Sequence, residues 1–301
     1  MSNLEEIKQF VMNRPKVVAA YGYGSGVFKQ VGYNDKDKPQ IDLIFVVKDL
    51  KKWHQENIKL NPKDYSFTGK LYFKHASIKN LKGNTGITYL SNIKNNDSLY
   101  KYGTIEEKDL LRYLDTWESF YLPGRFQKRL LPIIESKKIT DINSKNREKV
   151  LYTALLTMPS DKNKLIDVYT QICGLSYLGD TRMKFAENPR KVLNIVEASF
   201  DSFNEMYYKY NTYFKVNKNN EIKIDYKKLE NNIDKLPKSL LDYIGYEKGN
   251  DLEIVKKKIL EYLEKHNKEE SSKQTLKGLK TNGPVRSIKY ALAKISKKIK
   301  H

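Results

Sequence analysis

The chain has 301 residues, with 56 lysines and arginines against 36 acidic residues, a formal net charge of +20 and one cysteine. That length is roughly two domains' worth of chain. Its apolar runs are strand-length, far short of the roughly 20 residues that span a bilayer. A single cysteine, Cys173, excludes an internal disulfide and a thiolate zinc site, and the charge predicts an anionic partner: nucleic acid, an acidic membrane surface or a phosphorylated small molecule.

In chain order, Met1-Ser2-Asn3-Leu4-Glu5-Glu6 is polar and acidic, unlike a secretory signal or an Arg-rich transit peptide, and reads as a mature cytoplasmic start. Leu4 to Met12 has helical spacing, Lys16 to Ala20 opens a strand, and Ile41 to Val47 is a second strand. Asp49 is placed to cap a helix over Leu50 to Asn57. Gly86 to Ile93 and Leu99 to Ile105 read as further strands, followed by a helix carrying Asp109, Leu110, Leu111, Tyr113, Leu114 and Trp117. From Ser144 onward the pattern is helical, at intervals to Lys265. Ser136-Lys137-Lys138 breaks the apolar periodicity, and Lys268-Glu269-Glu270-Ser271-Ser272 separates a final segment. The expected division is therefore 1–137, 138–267 and 268–301. From Ser271 to His301 there are nine lysines and arginines and no acidic residue.

The most informative stretch is Tyr21-Gly22-Tyr23-Gly24-Ser25-Gly26-Val27-Phe28. Its glycine spacing is neither that of a dinucleotide fingerprint nor that of a Walker loop, and it lacks the flanking glycines of a nucleophile elbow. Such a run is either a plain tight turn or a cradle in which backbone N–H groups approach phosphates. Asp42 bears on that choice. In a strand it shares a face with Ile44 and Val46 while Ile41, Leu43, Phe45 and Val47 take the other. Both faces are apolar, so the carboxylate belongs at the strand's mouth near a cation, as a metal ligand or as half of a structural salt bridge.

Tyr21 to Phe28, the Ile41 to Val47 strand, Trp53-His54-x-x-Asn57 leading to Asn61-Pro62-Lys63-Asp64-Tyr65-Ser66, Lys101-Tyr102-Gly103 and Gly124-Arg125-Phe126-Gln127-Lys128 resemble the mitochondrial translocator assembly and maintenance protein family. So do Gly174 to Met183 and Lys191 to Val196, so that the likeness runs in order along nearly the whole chain. That resemblance implies a peripheral phosphatidate cytidylyltransferase, making CDP-diacylglycerol and pyrophosphate from CTP and phosphatidic acid. It also implies an α/β (α+β) nucleotidyltransferase domain of the polymerase-beta-like kind, a helical winged-helix-like domain and a C-terminal amphipathic helix. The N-terminus suggests a bacterial-type member. The expected place is a membrane surface on the cytoplasmic side, where relatives sit on the matrix side of the mitochondrial inner membrane.

A phosphate monoester has a second pKa of about 6, so such an acceptor is already a nucleophilic dianion at neutral pH. The obstacle is repulsion between anions, which Mg²⁺ and basic side chains must neutralise. On this logic Gly24, Ser25 and Gly26, with Tyr23, cradle the triphosphate, and Asp42 holds Mg²⁺. Lys101, Arg125 and Lys128 are the candidate phosphate contacts, the alternative being a solvated basic face. Arg125 is favoured because Gly124 permits a close approach and a planar guanidinium suits a phosphate. Tyr102 is a candidate to stack on cytosine. Asp180 and Arg182 are candidates for catalysis or metal binding, or else a domain-interface salt bridge. His54 reads as a hydrogen-bonding residue, and His75, His266 and His301 lack metal-ligand spacing.

One departure concerns the metal. Strands of this class commonly carry two carboxylates two apart, but Gln40 and Ile44 flank Asp42. Asp35, Asp37 or Asp180 is the candidate second acid, and a single carboxylate with phosphates and water would also suffice. After Gly283-Pro284, residues Val285, Ile288, Leu292, Ile295 and Ile299 fall on one helical face, with Arg286, Lys289, Lys294, Lys297, Lys298 and Lys300 around it. That is the pattern of a helix lying on an anionic membrane, Arg286 and Lys289 meeting lipid phosphates. Binding nucleic acid or docking onto the core are the alternatives for this helix. The rival functions are a nucleotidyltransferase acting on RNA or a small acceptor, and a non-catalytic nucleic-acid-binding protein. Against the binding protein, no nucleic-acid motif appears and the tyrosines are dispersed; the nucleotidyltransferase with another acceptor is the closer rival, separated by which acceptor releases pyrophosphate.

Overall fold

The computed structural model describes residues 4–28, 39–159, 163–180, 183, 188–247 and 251–299, with side chains as far as Gly283. The first layer is a five-stranded sheet. Strands β1 (Ala19–Tyr23) and β2 (Ile41–Val47) pair antiparallel with Tyr23 opposite Asp42. A hairpin of β3 (Thr88–Asn95) and β4 (Ser98–Glu106) adds on the other side of β2, with β4 parallel to β2. With β5 (Leu131–Ile134) the order is β3-β4-β2-β1-β5. The first strand starts later than Lys16 and runs straight into the glycine segment. Pro15 instead serves as a tether, its carbonyl accepting from Trp53 Nε1 at 3.0 Å.

The two faces of this sheet follow the alternation of β2. Ile41, Leu43, Phe45 and Val47 pack with Ile7, Phe10 and Val11 of α1 (Leu4–Met12), Trp53 of α2 (Leu50–Leu60) and Phe73 of α3 (Phe67–His75). Asp49 caps α2 as the sequence indicates, accepting from the Lys52 amide at 2.8 Å. Short α4 (Ile78–Lys82) follows. On the opposite face Ile44 and Val46 meet Leu110, Tyr113 and Leu114 of α5 (Glu107–Thr116) and Phe126 of α6 (Pro123–Phe126).

A second core forms around α7 (Lys137–Leu156) and α8 (Leu165–Leu175). Helices α9 (Lys191–Glu197), α10 (Phe200–Tyr207), α11 (Tyr226–Glu230) and α12 (Lys238–Ile244) surround it. A small sheet of β6 (Asn163–Lys164), β7 (Phe214–Val216) and β8 (Glu221–Ile224) completes it, in the order β6-β8-β7. Ser136-Lys137-Lys138, which reads as a break, is the start of α7. That helix serves both cores, placing Ile139 in the first and Val150 to Leu156 in the second.

The last helix, α13 (Leu252–Ile299), departs most from the sequence reading. The composition of Lys268 to Ser272 marks it as a separator, yet the helix continues through it. Val255, Ile259, Tyr262 and Leu263 belong to the second core. Asn267 donates to Leu175 O at 2.8 Å, and Lys277, Thr281 and Asn282 are buried against the edge of the first sheet. Glu270 and Ser271 are buried because this helix faces protein on both halves. At Gly283 the backbone leaves helical geometry (φ 75°, ψ 164°). The cause is local: Pro284 disfavours the helical region for the residue before it, and only glycine tolerates that positive φ without strain. A Cβ at Gly283 would also meet Thr68 Oγ1 at 2.8 Å.

Candidate active site

Strand β1 ends in a turn where Val27 and Phe28 both donate their amides to Gly24 O, at 3.1 and 3.0 Å. Two glycines are dictated, Gly24 by its positive φ and Gly26 by contact. Gly24 has φ +75°, and a Cβ there would stand 3.4 Å from Asp42 Oδ2. A Cβ on Gly26 would fall 2.1 Å from Gln40 O. The turn therefore lies directly over the head of β2 and its carboxylate, with Ser25 at its half-exposed tip.

Because β2 and β4 are parallel with Asp42 registered against Lys101, the two side chains emerge side by side on one face. Lys101 Nζ lies 3.4 Å from Asp42 Oδ1, and the two side chains keep 17% and 26% of their exposure. Residual exposure in a pair of opposite charges leaves each able to exchange its partner for a ligand. The Lys101 ammonium also sits 4.7 Å from the centre of the Tyr89 ring. Tyr23 lies beside Asp42, and burial followed by that carboxylate pushes its hydroxyl well above the usual tyrosine range. It stays a neutral O–H donor.

Arg125 on α6 reaches the same face. Its guanidinium stacks 3.8 Å above the Tyr121 ring and donates to Tyr121 O, with Tyr23, Tyr89 and Tyr177 in electrostatic range. Lys128 follows at the seam with α8, donating to Gly124 O and, at 2.7 Å, to Ser176 Oγ. Burial, with the positive charges of Arg125 and Lys191, pushes the Lys128 amine down to about 8. The ammonium groups of Lys128 and Lys191 lie 5.2 and 5.6 Å from the centre of the Tyr177 ring. Three cations thus converge where the two cores meet, and Tyr23 and Tyr89 lie between them and the Asp42–Lys101 pair. The close approach that Gly124 allows is to this seam: a Cβ there would lie 2.5 Å from Ser176 Cβ.

Several expected residues fall elsewhere. Tyr102 is not available to a nucleobase: it is fully buried on the face of β4 opposite Lys101, stacked 4.8 Å from Phe45. Its hydroxyl donates to Asp64 Oδ2 and accepts from Asn57 Nδ2, both at 2.8 Å. Strand alternation forces this, since neighbours Lys101 and Tyr102 must point to opposite faces. His54 joins the same network, bonded to Tyr65 and Thr104 at 2.8 and 3.0 Å, and burial lowers its pKa. Asp180 is buried on the turn after α8, where Gly179 packs against Glu264 of α13. Asp35, Asp37 and Arg182 lie outside the described residues, as do the side chains of Arg286 and Lys289. Among the described residues, no group of three or more histidine, cysteine or acidic side chains could hold a metal. Asp42, partly exposed beneath the Gly24–Gly26 turn, is a carboxylate that could meet a cation there. Sequence reasoning passed over Lys191, Tyr177, Tyr121 and Tyr89. Lys191 and Tyr177 stand in blocks that carry the family resemblance, which was the available signal.

The family model described as "Phosphatidate cytidylyltransferase, mitochondrial" matches residues 7–297. Proteins of that name are similar in sequence. The one from Schizosaccharomyces pombe is 40% identical over 212 residues, covering 67% of this chain and 53% of the relative. That from Saccharomyces cerevisiae is 33% identical over 282 residues, covering 91% and 65%, and the human one is 36% identical over 192 residues, covering 62% and 42%. The chain spans about half the length of the first of these relatives. A crystal structure of a nucleotidyltransferase-like protein from Exiguobacterium sibiricum aligns over 92% of this chain and 76% of its own at 11% identity. Its TM-score of 0.26 is too low to bear on the fold.

Proposed function

The chain belongs to the mitochondrial phosphatidate cytidylyltransferase family, and from this premise we propose that it converts CTP and phosphatidic acid into CDP-diacylglycerol and pyrophosphate. The observation that carries the reading at the level of residues is the Gly24–Gly26 turn lying over Asp42, with Lys101 paired to it across parallel strands. The turn's backbone N–H groups and Ser25 Oγ are suited to the triphosphate oxygens, and Tyr23 offers a neutral donor beside them. Lys101 exchanges Asp42 for phosphate as the nucleotide enters. Asp42, with phosphate oxygens and water, would hold Mg²⁺, which when bound neutralises the triphosphate and aligns it.

The acceptor's phosphate is held by Arg125 and Lys128, with Lys191 completing the cluster. One of its oxygens forms a bond to the CTP α-phosphorus as the bond to the pyrophosphate oxygen breaks, the electron pair leaving with pyrophosphate. A dianionic acceptor needs no general base, so the residues' task is charge neutralisation and alignment. The first sheet and its helices serve as a polymerase-beta-like nucleotidyltransferase unit, and the second core with its three-stranded sheet as the winged-helix-like unit. No helix among the described residues is long and apolar enough to cross a membrane. The apolar and basic faces of 285–299 support peripheral attachment at an anionic surface. Nucleic acid has no place in this scheme.

Purified protein incubated with labelled CTP, Mg²⁺ and phosphatidic acid in mixed micelles tests it. CDP-diacylglycerol formation that requires both lipid and metal is expected. Pyrophosphate release with RNA or an alcohol acceptor, and none with phosphatidic acid, would overturn the substrate assignment.

A further inference from the structure

The buried end of α13 has partners that bear on the candidate site from behind. Strand β3 is an edge of the five-stranded sheet, so half of its backbone groups have no strand to pair with. Its pairing with β4 is interrupted by a bulge between Leu90 and Ile93, where Asn92 takes a φ of +55°. Asn282 fills that bulge. Its Oδ1 accepts from the Ser91 amide at 2.7 Å and from Ser91 Oγ at 3.1 Å, while Nδ2 donates to Tyr89 O at 3.4 Å. Thr281 Oγ1 adds a bond to Tyr89 O at 3.0 Å, and Lys277 Nζ bonds Ile87 O and Lys82 O, each at 2.9 Å. Asn282 and Ser91 are each only 5% exposed, so water cannot replace these bonds.

From the bulge two short chains of contact lead to the site. Asn92 Oδ1 accepts from Gln40 Nε2 at 3.4 Å, and that amide also donates to Tyr100 O at 3.2 Å. Gln40 O is the atom over which Gly26 closes. Tyr89, whose carbonyl is held by Thr281 and Asn282, places its ring beneath the Lys101 ammonium. One chain ends at the glycine turn and the other at the cation paired with Asp42.

We propose that Asn282 is a positioning residue of the nucleotide site: by fixing the β3 bulge it fixes Gln40 and Tyr89, against which the Gly24–Gly26 turn and Lys101 rest. This rests on reading that turn as the nucleotide cradle. The last docked turn of α13 is then part of the catalytic unit as well as the root of residues 284–299.

The 301-residue wild type, Asn282→Ala, Asn282→Asp and Ile244→Ala are compared. The aspartate keeps an oxygen for Ser91, and Ile244 lies in the second core, so its truncation lowers global stability without touching the bulge. Amide hydrogen exchange is read at Val27 and Phe28, with kcat and KM for CTP measured on a short-chain, water-soluble phosphatidic acid. In Asn282→Ala, exchange at Val27 and Phe28 rises about tenfold beyond that of Ile244→Ala at a matched distance from its melting temperature, and kcat falls about tenfold or more. Asn282→Asp, which keeps the Ser91 bonds but has no donor for Tyr89 O, recovers only part of both. Exchange at the turn that is unchanged in Asn282→Ala, or raised equally by Ile244→Ala, overturns the proposal. A wild type that makes no product refutes the functional reading instead, and the exchange comparison still decides the positioning role.

Discussion

Gly26→Ala isolates the turn's contact with β2 from any effect of backbone conformation. The added methyl would lie 2.1 Å from Gln40 O, 2.6 Å from Gln40 C and 2.9 Å from Ile41 Cα. All three are backbone atoms, so no rotamer change relieves the overlap. Moving the nearest atom out to 3.0 Å, the lower bound for a real contact, requires 3.0 − 2.1, or about 0.9 Å, between the turn and the head of β2. A misplacement of about 1 Å of groups that align reacting atoms costs on the order of 100-fold in rate, while the strain itself costs about 1–3 kcal/mol of stability. The assay is conversion of labelled CTP with a soluble phosphatidic acid, alongside thermal unfolding. Gly278→Ala is the control: nothing lies within 4 Å of its Cβ, it is in a helix, and it should gain up to about 1 kcal/mol with turnover unchanged. A folded Gly26→Ala protein with wild-type kcat/KM would refute the claim that this turn holds the reacting phosphates.

Asp42→Ala should lower turnover by about 100- to 1,000-fold or more. Since the Asp42–Lys101 pair is partly exposed, melting should shift by no more than about 1 kcal/mol. An active, well-folded Asp42→Ala protein removes the residue from the site. Tyr102→Phe should cost about 1–3 kcal/mol of stability by removing one buried hydrogen bond each from Asn57 and Asp64, which keep Tyr65 and Arg14 as partners, and leave KM for CTP unchanged; a raised KM with normal stability would restore Tyr102 to nucleotide stacking. Burial pushes the Glu270 carboxyl from 4.5 up to about 7, against the pull of Ser119 and Arg125. The fold therefore favours the neutral acid: this contribution is complete below pH 4.5 and is lost as pH rises to about 7. Glu270→Gln should flatten that slope, gaining up to about 3 kcal/mol over wild type at pH 8 and little at pH 4.5. Parallel melting curves for the two proteins across this range would refute the burial argument.

What the sequence made legible is what short-range physics decides. The alternation of Ile41 to Val47, the Asp49 cap and the α1 periodicity depend on residues within one turn or one pleat of each other, and each appears in the structure. Tyr102 was beyond that reach. Its neighbour relation to Lys101 says that the two point opposite ways, but not which face is open to ligand. That is settled by Asn57, 45 residues away, and Asp64, 38 away, which close the Tyr102 face. The same holds for Lys268 to Ser272, whose composition resembles a linker. Tyr262 bonded to Trp117 O just before it, and Asn282 bonded to Ser91 just after it, make the stretch a bridge between two surfaces.

The charge balance shows why composition pointed to an anionic ligand without locating the site. Much of the excess of 20 positive charges is spread along the chain, and most single lysines are solvated. What distinguishes a few is convergence. Lys101 arrives from β4 through its parallel register with β2, Arg125 and Lys128 from the segment beside the first sheet, and Lys191 from a helix of the second core. Burial and neighbouring cations disfavour the charge on such a group, as the lowering of Lys128 to about 8 beside Arg125 and Lys191 illustrates. A bound dianion reverses that tendency by favouring the charged amine. Acceptor binding should then take up a proton above pH 8, so the apparent KM for phosphatidic acid should rise with pH through that range, and Lys128→Met should remove the dependence while raising KM at every pH. A wild-type KM that stays flat from about pH 7 to 9.5 would place the acceptor phosphate away from this seam.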